Sequence, residues 1–267
     1  MKTLTEFCLI AIEKLSNMGT PTIKSLTNKL LSKYKMLGNP DPVMNSDTDF
    51  QNIYYKCKPY TMTSPLRMYA LYQAVKYVSK AGIEGDFVEC GVWKGGSSMV
   101  IAMTLKLCGI ENRKIYLYDT FGGMSEPSVH DVEVRGGAAA DDEWKKSLKS
   151  GYSTWCYSPL EEVESNMGTT GYPKKNIIFI KGKVEDTIPG TLPKSISLLR
   201  LDTDFYESTK HEMEHLYPLL SAKGVLLIDD YGHWGGARKA VDDYINNNNI
   251  NILLNRVDYT GRIAVKG

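Results

Sequence analysis

The sequence predicts a doubly wound α/β fold, Rossmann-like and mostly parallel, closed by a C-terminal antiparallel hairpin. From Gly85 onward, short apolar runs alternate with helical stretches. The runs, at 86–90, 115–118, 177–180, 197–201 and 225–228, are β-branched or aliphatic with little alternation of polarity. Parallel strands covered on both faces read this way. Helical patterns fall between them at 97–107, 207–220 and 237–246, and alternating β and α segments imply crossovers on both faces of one sheet. The last two runs, 250–257 and 262–265, flank Tyr259-Thr260-Gly261 and read as the hairpin. The polar run 246–249 reads as an exposed turn.

Residues 1–60 read as a helical appendage, and 61–267 as the main domain. Leu4, Phe7, Leu9, Ile12 and Leu15 recur at helical spacing, Gly19-Thr20-Pro21 stops that helix, and 23–34 suggests another. Gly38 to Pro42 is a cluster of breakers. Ser64-Pro65 opens a helix through Val78, with proline at its first position.

One connection is abnormally long. About 54 residues separate Phe121 from Asn176, and a plain crossover needs far fewer. The stretch, about 122–175, holds Trp144, Tyr152, Trp155 and Tyr157 among many charges, and reads as a lid over a ligand.

Composition bounds the function. Of 267 residues, 32 are Lys or Arg and 31 Asp or Glu, a net charge of +1. That balance excludes a polybasic nucleic-acid binder and an acidic tail. The five cysteines (Cys8, Cys57, Cys90, Cys108, Cys156) are scattered, odd in number and without C-x-x-C. A disulfide scaffold does not fit, and a reducing cytoplasm does. The apolar run 7–12 is too short for a membrane span, and Glu6 and Glu13 flank it in a way unlike a signal peptide.

Three constellations point to chemistry. Glu89-Cys90-Gly91-Val92-Trp93-Lys94-Gly95-Gly96-Ser97 sits where the first strand turns into its helix. Its glycines permit a tight turn and close backbone approach, but it lacks the second glycine of a dinucleotide loop. An acid ahead of the turn would repel a pyrophosphate and suits a cationic amino acid. Asp119, about 24 residues past Gly95, ends the second strand, where an acid accepts hydrogen bonds from ribose hydroxyls. Together they suggest an adenosine-containing ligand, and Glu89 favours S-adenosylmethionine over NAD. Third, Asp202 and Asp204 end one strand, and Asp229 and Asp230 the next. Strands lie about 4.8 Å apart, so these carboxylates crowd one sheet edge and call for a hard cation, Mg²⁺ by preference. Asp204 reads mostly as a cap of the following helix, which leaves Asp202, Asp229 and Asp230 as ligands. Arg200 shares their face but lies further back along its strand.

His211-Glu212-Met213-Glu214-His215 matches the zinc-protease pattern H-E-x-x-H. Met213, Leu216, Tyr217 and Leu220 define the helix's apolar face, and the histidines fall on the opposite side, so that reading is set aside. His233 follows Asp229-Asp230 closely enough to touch substrate or act as a base. His130, in the insertion, is a weaker candidate.

The same blocks, in order, resemble the macrocin O-methyltransferase family. They are 89–97, then Tyr118-Asp119-Thr120-Phe121-Gly122-Gly123-Met124, then 200–209, then 229–238. The resemblance covers about residues 55–267. It implies a class I methyltransferase sheet and methylation of a sugar hydroxyl, using S-adenosylmethionine and Mg²⁺. It also implies cofactor contacts at Thr61, Met62, Arg67, Glu89, Gly91, Lys94, Gly95, Ser97, Asp119, Thr120, Phe121, Glu185 and Asp186. Asp202, Asp229 and Asp230 match the family's metal ligands, Asp202 also its base, and Trp155 a lid residue.

Other readings remain beside it at this point. Asp202-Thr203-Asp204 is the D-x-D of metal-dependent glycosyltransferases, and phenolic acceptors share the metal logic. A chain rich in Lys, Asn and Ile suggests an AT-rich genome, so a surface polysaccharide is as suitable an acceptor as an antibiotic. Homo-oligomeric assembly is left open.

Overall fold

The computed structural model describes residues 41–267. The helices expected within 1–40 lie outside the described residues. The chain divides into two compact units, Met1–Thr48 and Asp49–Gly267. The described end of the first holds a short helix, α1 (Pro42–Ser46). Asp41 opens it by accepting the N–H groups of Val43 and Met44.

Helix α2 (Thr48–Cys57) leads into the second unit. Its buried Phe50 packs on Tyr69 and Tyr72, with ring centroids 4.8 and 5.4 Å away. Both tyrosines belong to α3 (Pro65–Lys80), which starts as the sequence predicts, with Ser64 accepting the Arg67 N–H and proline at the first turn.

The alternation then follows: β1 (Asp86–Cys90), α4 (Gly96–Leu107) and β2 (Ile115–Asp119). The long connection holds α5 (Ala140–Ser147), a two-stranded ribbon of β3 (Leu148–Lys149) and β4 (Tyr152–Ser153), and α6 (Leu160–Gly168). Next come β5 (Ile177–Lys181), α7 (Val184–Thr187), β6 (Ile196–Leu201), α8 (Tyr206–His215), β7 (Leu220–Ile228) and α9 (Gly235–Asn247). The chain ends on β8 (Asn255–Arg256) and β9 (Arg262–Val265).

The main sheet has the order β5-β2-β1-β6-β7-β9-β8. Its first five strands are parallel, and β9 and β8 close it antiparallel. The fold class is the one the sequence predicts, because β1, β2 and β6 are buried along nearly their whole length. One face of the sheet packs Val88, Leu199, Leu201 and Ile228 against Met213, Leu216 and Val241 from the covering helices.

Three boundaries differ from expectation. Strand β7 begins at Leu220, five residues before the expected 225–228 run. Helix α8 stops at His215 instead of 220. Pro218 cannot continue it, and a 3₁₀ turn (Tyr217–Leu219) delivers the chain to β7. Leu216, Tyr217 and Leu220 are nonetheless buried, so the helical pattern was a true core pattern on a bent path. In the hairpin, only Asn255–Arg256 of the expected 250–257 run pairs with β9.

The strand order reverses between β1 and β6, the place where open α/β sheets bind ligands. Register there is fixed by three bonds: Gly91 N–H to Tyr118 O (2.9 Å), Asp202 N–H to Cys90 O (2.8 Å) and Asp229 N–H to Leu201 O (2.9 Å). They align the carboxyl ends of four adjacent strands. Gly91, at φ +82°, allows this, since a Cβ there would be driven into the Asp202 carbonyl.

Candidate active site

A cavity of about 330 Å³ opens at these strand ends. Of the residues assigned to the cofactor, Thr61, Met62, Arg67, Gly91, Ser97, Asp119, Thr120 and Glu185 line it. Asp202, Asp229, Asp230 and His233 line it too. Glu89, Lys94, Gly95, Phe121 and Asp186 do not lie on its wall.

Their geometry explains why. Glu89 is 1% exposed, and its carboxylate accepts from Arg200 (2.6 Å) and from the Ser98 hydroxyl. It is committed to the interior, and burial pushes it upward against the pull of Arg200. Lys94 pairs with Glu162 at 3.3 Å on helix α6. Gly95 and Phe121 act through the backbone, at φ +88° and +48°, and the buried Phe121 ring packs on Phe179.

Asp119 holds the loop after β1. One carboxylate oxygen accepts the N–H groups of Val92 (2.7 Å) and Trp93 (3.0 Å), and the other that of Phe121 (2.6 Å). A carboxylate offers about four acceptor positions; the fourth is taken by a long bond from the Thr120 hydroxyl at 3.4 Å, the one an incoming hydroxyl would replace. The bonds also hold Trp93 at φ +46°, an unusual conformation for a bulky residue.

The expected aspartate trio is rearranged. Asp202, Asp204 and Asp230 bring oxygens within 4.8 Å of one another. Asp229 instead faces two arginines, Arg67 and Arg200, the latter at 2.6 Å. The capping role expected for Asp204 is corrected. Helix α8 begins at Tyr206 behind Phe205, which makes no side-chain cap, while Asp204 takes a left-handed φ of +69°. The cap comes from the insertion: Asp131, 1% exposed, accepts the Tyr206 N–H at 2.8 Å.

Arg200 reaches further than its position in the strand suggested. At 2% exposure it bonds Glu89 (2.6 Å), Asp202 (2.7 Å) and Asp229 (2.6 Å), and Thr63 at 3.1 Å. Arg67 in turn bonds Asp258 at 3.1 Å, which also accepts from the Ser64 hydroxyl at 2.6 Å. Two arginines thus pair with Glu89, Asp202, Asp229 and Asp258, while Asp204 and Asp230, also on the cavity wall, have no arginine or lysine partner among the described residues. Burial pushes Asp202 up to about 7, and Asp230 and Glu89 add to this against the pull of Arg200. Burial and Asp230 raise Asp204 well above the usual carboxylate range.

Such groups hold more protons folded than unfolded, so they stabilise at acid pH and lose that contribution as pH rises through their folded pKa. In EDTA, the unfolding midpoint is expected to fall between about pH 5.5 and about pH 8, passing through the region near 7 set by Asp202. Thermal melts at the two pH values check this, and a midpoint that rises instead would contradict it.

The insertion supplies Gly123, Met124, Ser125, Trp155 and Cys156 to the cavity wall. Trp155, Phe205 and Trp234 pack edge to face, with centroids 5.7–6.1 Å apart. Val132 accepts the Gly235 N–H (2.9 Å), and His233 accepts the Val134 N–H (2.8 Å), which ties the insertion to the loop after β7. Its last part is a different element: helix α6 packs on α4, and Asn166 caps the Lys94 carbonyl at 3.0 Å.

The H-E-x-x-H histidines build no metal site. His211 bonds the Ile188 carbonyl (3.0 Å) and His215 the His211 carbonyl (2.8 Å). They are half-buried instead of turned to solvent as expected. His130 packs against Tyr206, tilted by 58° with ring centroids 4.6 Å apart. Among the described residues the four cysteines are free, and no helix is long and apolar enough to cross a membrane.

Comparisons with known proteins agree with this architecture. Residues 25–265 match the macrocin O-methyltransferase (TylF) family. A Streptomyces olivaceus enzyme, 8-demethyl-8-(2,3-dimethoxy-alpha-L-rhamnosyl)-tetracenomycin-C 4'-O-methyltransferase, is 34% identical over 202 residues, 76% of this chain and 74% of that one. Demethyldecarbamoylnovobiocin O-methyltransferase of Streptomyces niveus is 31% identical over 185 residues, 69% and 67% of the two chains. The solved O-methyltransferase NovP superposes with a TM-score of 0.66 at 29% identity, covering 78% of this chain and 82% of its own. Calicheamicin methyltransferase CalS11, at 17% identity and a TM-score of 0.57 over 100% of this chain and 95% of its own, shares the fold. The sheet is thus a class I methyltransferase sheet, the activity is O-methyl transfer, and the glycosyltransferase reading of Asp202-Thr203-Asp204 falls away. A cavity at the switch point, the Gly91–Ser97 turn, Asp119 and the paired acidic strand ends form one constellation, and the chain that carries it belongs to the macrocin O-methyltransferase family.

Proposed function

We propose that this enzyme methylates a sugar hydroxyl of a glycan or glycosylated metabolite, using S-adenosylmethionine and a divalent cation, Mg²⁺ by preference. The observation that carries the reading is the meeting of Asp202, Asp204 and Asp230 on the cavity wall that also presents Asp119. Three carboxylates suit a hard cation with oxygen ligands. Asp202 and Asp230 belong to the trio read from sequence, Asp204 takes the third place, and Asp229 serves behind it through the arginines.

Bound S-adenosylmethionine supplies an already activated methyl group, so the protein's task is to place and deprotonate a weakly acidic alcohol. A cation at the three carboxylates supplies Lewis acidity that lowers the pKa of a hydroxyl oriented there. The Gly91–Ser97 turn and the Thr61–Thr63 strap enclose the methionine end, and Asp119 accepts from the ribose. Asp202 and His233 share the wall, and either can take the hydroxyl proton. Trp155 and Trp234 stack on the sugar and exclude water, with 122–158 acting as the lid.

The test is mass spectrometry of a panel containing oligosaccharides, glycosylated metabolites and catechols, incubated with enzyme, methyl donor and Mg²⁺. The expected result is one methyl added to a sugar, abolished by EDTA. Methylation of catechols alone would sink the sugar reading, and turnover unaffected by EDTA would sink the cation.

A further inference from the structure

Glu212 is the acid of the H-E-x-x-H run, and the methyltransferase reading gives it no task. It is 0% exposed, on the face of α8 turned towards the sheet. One carboxyl oxygen accepts the Thr203 hydroxyl at 2.9 Å. The other has no hydrogen-bond partner among the described residues. The buried Cys90 thiol lies against the group, and burial pushes the Glu212 carboxyl well above its usual range.

Its hydroxyl partner stands at a sensitive place. Thr203 joins Asp202 to Asp204, lines the cavity, and accepts the Phe205 N–H at 2.8 Å through its carbonyl. Asp204, next along, is held at a left-handed φ. A non-glycine residue keeps such a conformation only where its surroundings over-determine it. Arg200 holds Asp202 at one end of that bend, and the Thr203 hydroxyl, held by Glu212, anchors its middle.

We infer that Glu212 is a positioning residue: through Thr203 it fixes the Asp202–Phe205 bend, so that Asp202 and Asp204 meet Asp230. The inference deepens the carboxylate-site reading, but its primary readout needs no cation. An unsatisfied buried oxygen is costly, so an apolar replacement need not destabilise the fold. That separates positioning from a merely structural role.

The experiment compares Glu212→Gln, Glu212→Leu, Thr203→Val and the Glu212→Leu/Thr203→Val double variant. Hydrogen exchange of residues 202–205 is measured in the metal-free protein, alongside thermal melts and Mn²⁺ titration. Glu212→Gln keeps an oxygen that can accept the Thr203 hydroxyl and is expected to match wild type in all three. Glu212→Leu and Thr203→Val are expected to speed exchange at 202–205 by about tenfold and weaken Mn²⁺ binding by about tenfold to a hundredfold, the usual range for partners that orient ligands. Their melts should stay close to wild type. The double variant should be no worse than either single, because both cut the same link. Unchanged exchange at 202–205 in both single variants, or failure of Glu212→Gln to match wild type, would overturn the inference. If wild type binds no Mn²⁺, the cation reading fails by itself, and exchange at 202–205 still decides the role of Glu212.

Discussion

Replacing Asp230 with Asn is expected to lower methyl transfer at least about a hundredfold while leaving S-adenosylmethionine affinity within about twofold. A cation acting as Lewis acid contributes several kcal/mol to the transition state, and 1.36 kcal/mol is tenfold in rate. Asp230 is one of three clustered oxygen donors, and the amide keeps its size but removes its charge. Asp119 and the Gly91 turn, the proposed contacts of the methyl donor, are built by bonds that do not involve Asp230. The protein should not lose stability, because the change relieves repulsion on Asp202 and Asp204, both of which Asp230 pushes upward. The expected signature is an unfolding midpoint equal to or above wild type, intact donor binding by calorimetry, and turnover that excess Mg²⁺ does not fully restore. A fully active Asp230→Asn variant would make the cluster structural.

Arg200→Met is expected to act in the opposite way, through stability. Arg200 bonds three acids at 2.6–2.7 Å while 2% exposed. Removing one partner of a buried charge network costs about 3–5 kcal/mol, because the remaining charges stay buried without compensation. Glu89 is the most affected, since Arg200 is its only ion-pair partner among the described residues. Asp229 keeps Arg67. For a domain of this size the cost corresponds to a drop of roughly 6–20 °C in the unfolding midpoint. Arg200→Lys should recover only part of it, since one ammonium cannot match the planar fork that reaches Glu89, Asp202, Asp229 and Thr63 together. A midpoint unchanged in Arg200→Met would show that the acids are neutral and the network contributes nothing.

The sheet, and the sheet edge that carries the candidate site, are legible in the amino-acid order alone. The runs at 86–90, 115–118, 177–180 and 197–201 each became a strand with at most one residue added at either end, because burial on both faces leaves unbroken apolar runs that few other elements share. Glycines and acids follow strand ends in the chain, so the Gly91 turn, Asp119 and the two aspartate pairs could be assigned to one edge before any coordinate was known. Their pairing could not. Whether Asp204 caps a helix or faces Asp230 depends on a left-handed φ at one residue and on Asp131, which arrives from about 75 residues away in sequence to take over the cap. Whether Asp229 meets a cation or an arginine depends on Arg67 and Arg200 crossing from another helix and from the neighbouring strand. Glu212 was legible only as part of an apparent zinc motif, and its contact with Thr203 is set by how α8 lies on the sheet. Periodicity and turn chemistry are local and survive in one dimension. Which of several like charges is neutralised and which stays free is settled by side chains that meet only when the sheet and its helices have packed.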